Sequence, residues 1–145
     1  MKFVKYTSDH KSEWNKFAAD AKNSHFFFQR DYMDYHSDRF DDFSLLVYDE
    51  KEKLTALLPA NINNNTVISH QGLTFGGFLV SSIMRTEVML NIFQDLLLFL
   101  KQSEITKLVY NCIPYIYHQK PCEEDRYALF INNAKLTRRD VSSTI

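Results

Sequence analysis

Glycine is nearly absent from this sequence. Three occur in 145 residues, and all three, Gly72, Gly76 and Gly77, fall within His70–Gly77. No low-complexity linker is therefore present, and the least ordinary backbone is concentrated in one stretch, because glycine serves where φ is positive or another group approaches closely. Cysteine is equally scarce: Cys112 and Cys122 lie ten positions apart without CxxC spacing, which excludes a disulfide framework and reads as reduced thiols of a cytosolic protein. Long apolar runs are missing. The longest is Leu96–Leu100, far too short to cross a bilayer, and Met1–Lys5 opens no signal-peptide core. Net charge is absent too. Seventeen basic against 18 acidic side chains give −1, so no electrostatic footprint points to nucleic acid. Glu123-Glu124-Asp125 has no His or Cys neighbour at metal-ligand spacing, so no metal is expected.

What is plentiful is aromatic carbon, with 12 Phe and 8 Tyr, enough to fill a core and still line a cleft or interface. The length fits one domain over residues 1–145. Lys2–Thr7 reads as a first strand. Trp14, Phe17, Ala18 and Ala21 recur at helical spacing, giving a helix over residues 10–22. A shorter helix is expected within residues 29–40. Strands follow at 43–48, 53–62 and 66–69, joined by Asp49–Glu52 and by Asn63-Asn64-Asn65, where Asn tolerates left-handed backbone. Residues 86–102 carry the strongest helical pattern, with Met89, Phe93, Leu96, Leu97 and Leu100 on one face. Lys107–Ile113 is a buried-type strand, 123–133 a last helix and 135–145 a last strand. The order is β-α-α-β-β-β-α-β-α-β, an α/β class with a mixed sheet.

Two stretches carry polar groups suited to a cleft. In the first, Gly72, Gly76 and Gly77 either shape a substrate groove beside His70 and Gln71 or mark a bulge where two backbones meet. In the second, Pro114-Tyr115-Ile116-Tyr117-His118 follows a buried strand, where α/β sites collect. Tyr115 and Tyr117 are read as substrate contacts, and with His118 they are the weak catalytic candidates. The alternative is aromatic packing with hydroxyls at the rim. Histidine needs geometry before it earns a role, and neither His70 nor His118 has a nucleophile at a telling spacing. Asp34, His36, Asp38 and Arg39 fit a solvated helix with local pairs, and Arg138-Arg139-Asp140 reads first as a structural ion pair between Arg138 and Asp140, with an anion clamp as the alternative.

Several segments together resemble a known family. Asp34–Phe40, Ala56-Leu57-Leu58-Pro59-Ala60, Ser69–Gly77, Ile113–His118 and Arg138–Ser143 look like the first half of a FemAB-like protein, a two-lobed branch of the GNAT acyltransferases. The resemblance implies a GNAT-like domain belonging to a longer two-lobed chain. It implies transfer of an acyl or aminoacyl group to an amine, from acetyl-CoA, another CoA thioester or aminoacyl-tRNA. In such a lobe the donor pyrophosphate sits on a Gly-rich loop opening the central helix, where free N–H groups and the dipole hold an anion. A backbone N–H on the preceding strand polarises the thioester carbonyl, and a tyrosine on the last helix protonates the thiolate. This chain departs twice. The loop Val80–Thr86 has no glycine, leaving Ser81, Ser82 and Arg85 as weak anion contacts, and the tyrosine position is Phe130. The expectation is therefore a lobe that binds no cofactor alone. It would supply substrate-side surface and pair with a second lobe or a homodimer partner. The alternatives are a non-catalytic binding or self-association module, and a complete small GNAT with an unconventional donor site.

Overall fold

The computed structural model of the chain describes residues 1–141. Its strands form two four-stranded sheets. In the first, β1 (Lys2–Lys5), β3 (Leu45–Tyr48), β4 (Leu54–Leu58) and β7 (Leu79–Val80) lie in the order β1-β3-β4-β7, all antiparallel. In the second, β2 (Asp41–Asp42), β5 (Asn61–Asn63), β6 (Thr66–Ile68) and β8 (Lys107–Val109) lie in the order β2-β5-β6-β8. β6 and β8 run parallel, so this sheet is mixed.

The strand expected at 53–62 is divided. β4 ends at Leu58 and β5 begins at Asn61, in the other sheet. Pro59 at the junction lacks an N–H for the ladder. Ala60 then ties the sheets together: its carbonyl accepts from the Phe43 N–H at 2.8 Å.

Period-two burial gives the first sheet two apolar faces. Leu45, Val47, Ala56 and Leu58 pack with Met89, Ile92, Phe93 and Leu96 of α3 (Thr86–Gln102). Leu46, Leu57 and Leu79 face the other way, onto Trp14 and Ala18 of α1 (Lys11–Asp20), with Phe28 beside them. The sheet is thus covered on both sides, as its continuous apolar strands require. α3 falls where the sequence pattern puts it, while α1 is shorter than expected.

The short helix expected within 29–40 is present as a single turn, α2 (Arg30–Met33), continued by a 3₁₀ turn at Asp34–His36. Two expectations are corrected. The strand 107–113 stops at Val109, because the chain beyond it turns to serve the site described below. After α4 (Glu124–Ile131), residues 135–141 form no strand and are exposed. The rest of that expected strand, 142–145, lies outside the described residues. Arg138 and Asp140 do pair, at 2.9 Å.

Candidate functional site

The site begins where β6 and β7 part. β6 follows β8 in parallel as far as Ile68↔Val109, and the Ser69 N–H still donates to the Val109 carbonyl at 2.8 Å. The chain then leaves the sheet as a bulge, residues 70–77, and returns as β7 beside β4 in the other sheet. Asn111 closes the neck. Its backbone N–H donates to Ser69 Oγ at 2.7 Å, and its carbonyl accepts from the Gly76 N–H at 2.9 Å. A Cβ at Gly76 would stand 2.0 Å from the Ser69 carbonyl oxygen. Gly76 is therefore glycine because two backbones cross, the structural of the two readings open for it.

Beyond the neck, the β7 edge facing away from β4 is occupied by side chains and by the loop after α1. The Phe78 N–H donates to the Tyr110 hydroxyl at 2.7 Å, and that hydroxyl donates to Asp125 Oδ2 at 2.8 Å. Asn23 grips the same edge twice: Nδ2 donates to the Phe78 carbonyl at 2.7 Å and Oδ1 accepts from the Val80 N–H at 3.1 Å. The Lys22 N–H donates to the Val80 carbonyl at 3.0 Å, so Lys22 and Asn23 act as a short surrogate strand. Lys22 Nζ reaches Glu124 Oε1 at 2.5 Å and the Met84 carbonyl at 3.1 Å.

Burial sets the protonation of this cluster. It raises the Tyr110 phenol well above its ordinary value, with the Asp125 charge adding to the rise, and it raises the Asp125 carboxyl despite the Tyr110 hydrogen bond. Burial also pushes Cys112 to about 11 and Cys122 to about 12, so neither thiol is a thiolate nucleophile at neutral pH. At Glu124 burial acts upward, but hydrogen bonds from Lys22 and the backbone outweigh it and leave the group below the usual range.

The Tyr115–His118 segment borders this edge as a 3₁₀ turn with extended backbone at His118. Tyr117 stacks on Phe75 of the bulge, centroids 5.1 Å apart, and meets His25 edge-on at 5.3 Å. Tyr115 points outward and is exposed. His118 Nε2 lies 3.2 Å from the Ile113 carbonyl. Phe75 and Tyr117 thus join the bulge to this segment as one aromatic wall, whereas His118 is held by its own turn.

Ser81, Ser82 and Arg85 lie in the connection from β7 to α3. The Ser81 N–H continues the ladder to Thr55, and its carbonyl accepts from Met84. Ser82 and Arg85 are exposed, Arg85 caps α3 with extended backbone, and Glu87 in the first turn opposes an anion there. Phe130, at the position the resemblance assigns to an acid, is 74% exposed and has no proton to give. Among the described residues no group of three His, Cys, Asp or Glu could hold a metal, and no helix is long and apolar enough to cross a membrane.

On its other side the bulge lines a hollow. His70, with φ of +50°, and Gln71 face Arg30, Asp34 and Asp42 across a cavity of about 30 Å³. Arg30 is buried, its guanidinium 3.6 Å from the face of Tyr6 and near Trp14. Its Nη2 is paired with Asp34 at 2.7 Å and with Asp42, and its Nη1 donates to Ser44 Oγ at 3.3 Å. Gln71 is anchored through its N–H to Asn61 Oδ1 at 2.9 Å. His70 is 7% exposed, and burial lowers its imidazole to about 4, against the opposing pull of the Gln71 backbone and of Asp42. Its Nδ1 is buried with no hydrogen-bond partner, as is Arg30 Nε. Arg30, ahead of the stretch 34–39, is thus a core cation stacked on rings, and its pair with Asp34 is a local one, as expected for that stretch.

No family model matches the chain. No curated protein matches it either. Solved structures do. An aminoglycoside antibiotic 6'-N-acetyltransferase from Acinetobacter baumannii is 14% identical, with a TM-score of 0.53 over 99% of this chain and 97% of its own. A second such enzyme, from Acinetobacter haemolyticus, is 11% identical, with a TM-score of 0.54 over 100% and 97%. The chain has a GNAT-like fold. A tetramutant protein from Bacillus halodurans, 10% identical, matches with a TM-score of 0.59 over the whole of both chains. Within this GNAT fold the residues that close the β7 edge, Asn23, Tyr110 and Asp125, were not candidates from sequence. One signal was available: a tyrosine within a buried strand needs a partner for its hydroxyl.

Proposed function

We propose that the chain is an acyl-transfer lobe of FemAB-like type that presents surface to an amine-bearing substrate and holds no acyl-CoA by itself. The single observation that carries this reading is the β7 edge. A donor thioester would need free N–H groups on this strand for its carbonyl. Phe78 N–H is taken by Tyr110, and Val80 N–H by Asn23. The glycine-free loop at Ser81–Arg85 and the phenyl ring of Phe130 point the same way. The substrate-facing surface is the bulge and its wall: His70, Gln71, Gly72, Tyr115 and Tyr117. Gly76 and Gly77 hold that wall in place. The fold neighbours named as acetyltransferases of aminoglycosides make a small polyamine-like acceptor the natural class to test, and the thiols fit a cytosolic setting.

The test is calorimetric titration of the chain with acetyl-CoA. No saturable heat at micromolar concentrations is expected, and saturable micromolar binding would overturn the reading. A second reading, a self-association module, draws on exposed Tyr127, Phe130, Ile131 and Leu136 on and after α4, and on β8, an edge strand of its sheet. Light scattering decides it: a dimer supports association, and a monomer at all concentrations removes it.

A further inference from the structure

We propose that His25 is a proton-operated pin: neutral, it holds Phe75 of the bulge against Tyr117, and protonated, it lets them part. The geometry comes first. His25 is half-buried at the start of the 3₁₀ turn Phe26–Phe28, and its Nδ1 accepts from the Phe27 N–H at 3.3 Å. The next two N–H groups are served by backbone, Phe28 by the His25 carbonyl and Gln29 by the Phe26 carbonyl, each at 3.1 Å. Phe27 depends on the imidazole instead. The same ring joins three segments. It stacks on Phe26 at 4.7 Å, meets Phe27 edge-on at 4.3 Å, and meets Phe75 and Tyr117 edge-on at 5.1 and 5.3 Å. Phe28, at the base of the turn, is fully buried, and its carbonyl accepts from Trp14 Nε1 at 2.8 Å. The base is therefore fixed in the core, and the part free to move is the wall, where Tyr117 is 41% exposed.

An acceptor at Nδ1 places the proton of the neutral ring on Nε2. A second proton turns Nδ1 into a donor that faces the Phe27 N–H. The hydrogen bond is then lost, and two donors oppose each other. The charge also meets no counter-ion on the rings packed against it. The turn brings Phe26, Phe27 and Phe28, the bulge brings Phe75, and the 115–118 segment brings Tyr117. Among these only the Tyr117 phenol is titratable, and none is a carboxylate. His118, next in the chain, is held at the Ile113 carbonyl at 3.2 Å. Ring faces offer a cation some compensation, yet burial prevails and holds the imidazole below its ordinary 6.5. The sign follows: the pin is set above pH 6.5 and is withdrawn as pH falls. Acid would then separate the two segments of the wall without touching the β7 edge. The inference rests on the reading of that wall as substrate-facing, yet its test uses neither donor nor acceptor, so its failure and the failure of that reading are separate results.

The test is a pH titration of the isotope-labelled chain from about 7.5 to about 4.5, the range in which histidine changes charge. NMR follows the His25 ring nitrogens, the NOEs from that ring to Phe75 and Tyr117, and the NOEs between the Phe75 and Tyr117 rings. The expected result is loss of both sets of NOEs at the midpoint where His25 protonates, while NOEs within α3 persist. A charge without release would move shifts and leave the NOEs in place. His25→Asn keeps a cap acceptor and removes the titrating ring, so its Phe75–Tyr117 NOEs should hold across the range. Should that variant not fold, His25→Phe serves: it keeps the ring packing and removes the proton site, with the same expectation. NOEs that outlast His25 protonation overturn the proposal, as does a loss that persists in the variant. A loss that follows His70, whose imidazole lies at about 4, assigns the step elsewhere and overturns it too. So does a His25 that stays neutral until the α3 NOEs vanish.

Discussion

Two polar centres flank the bulge at 70–77, and they are built differently. On the β7 side, Tyr110 hydroxyl and Asn23 amide meet Phe78 and Val80 with complementary donors and acceptors, so the strand edge is finished. On the α2 side, Arg30 is as deeply buried and as heavily paired, yet Nδ1 of the imidazole across from it has no partner. Burying a polar group without a hydrogen bond is unfavourable, and finishing every bond removes capacity to bind anything else. The β7 edge is thus closed by the chain's own side chains, whereas the α2 side leaves a buried ring nitrogen, Nδ1 of His70, without a partner.

The comparison can be broken by substitution. Gly76→Ala is expected to have the largest effect, a loss of roughly 4 kcal/mol or outright misfolding, because the new methyl meets backbone that cannot rotate away. Urea denaturation measures it, and a near-neutral result would mean that the Ser69–Gly76 crossing is not fixed. Asn23→Ala should follow, at roughly 3 kcal/mol in the same assay, since it strands the Phe78 carbonyl and the Val80 N–H in the core. A loss below about 1 kcal/mol would show the β7 edge to be open to water and would weaken the contrast between the two sides.

The third effect belongs to the α2 side. The His70 pKa is about 4 when folded against an ordinary 6.5, so the unfolded chain binds the extra proton. Its contribution is therefore fully present above pH 6.5 and is lost as pH falls towards 4, by about 2–3 kcal/mol. His25, also lowered by burial, contributes in the same direction. The readout is thus the difference between wild type and His70→Asn: unfolding free energy from pH 7 to 4 should fall less steeply in the variant. Identical slopes would place His70 in water. The smallest effect is expected for Gly72→Ala, about 1–2 kcal/mol. Its φ of +89° strains an alanine, but the group that the methyl meets is the ring of Phe40, a side chain able to shift. A cost equal to that of Gly76→Ala would erase the distinction between a fixed neck and an adjustable wall.

α3 was legible in the sequence because its apolar face repeats over several turns and one periodicity accounts for it. The turn at Asn63–Asn65 was legible through the left-handed tolerance of asparagine, and Asn64 indeed has φ of +51°. Pro59 carried a signal that a strand drawn through 53–62 overrode: a residue without N–H breaks a ladder. Residues 135–141 form no strand for a different reason, since alternation shows what can pair but not whether pairing occurs. At the site, the sequence singled out the bulge and the Tyr115–His118 turn, and Phe75 and Tyr117 bring them together. It could not foresee Arg30 as a core cation, because Tyr6 and Trp14 arrive from β1's end and α1 to stack on it. Nor could it foresee Asn23, whose two hydrogen bonds span more than fifty residues.

The central claim is that the β7 edge is closed to an acyl donor by the chain's own Asn23 and Tyr110. The most direct measurement is acetyl-CoA titration by calorimetry, with amide exchange of Phe78 and Val80 followed on the same sample. The account predicts no saturable heat at micromolar donor and unchanged, strongly protected amides. Micromolar binding, with the Phe78 and Val80 amides shifted as the donor saturates, would contradict it.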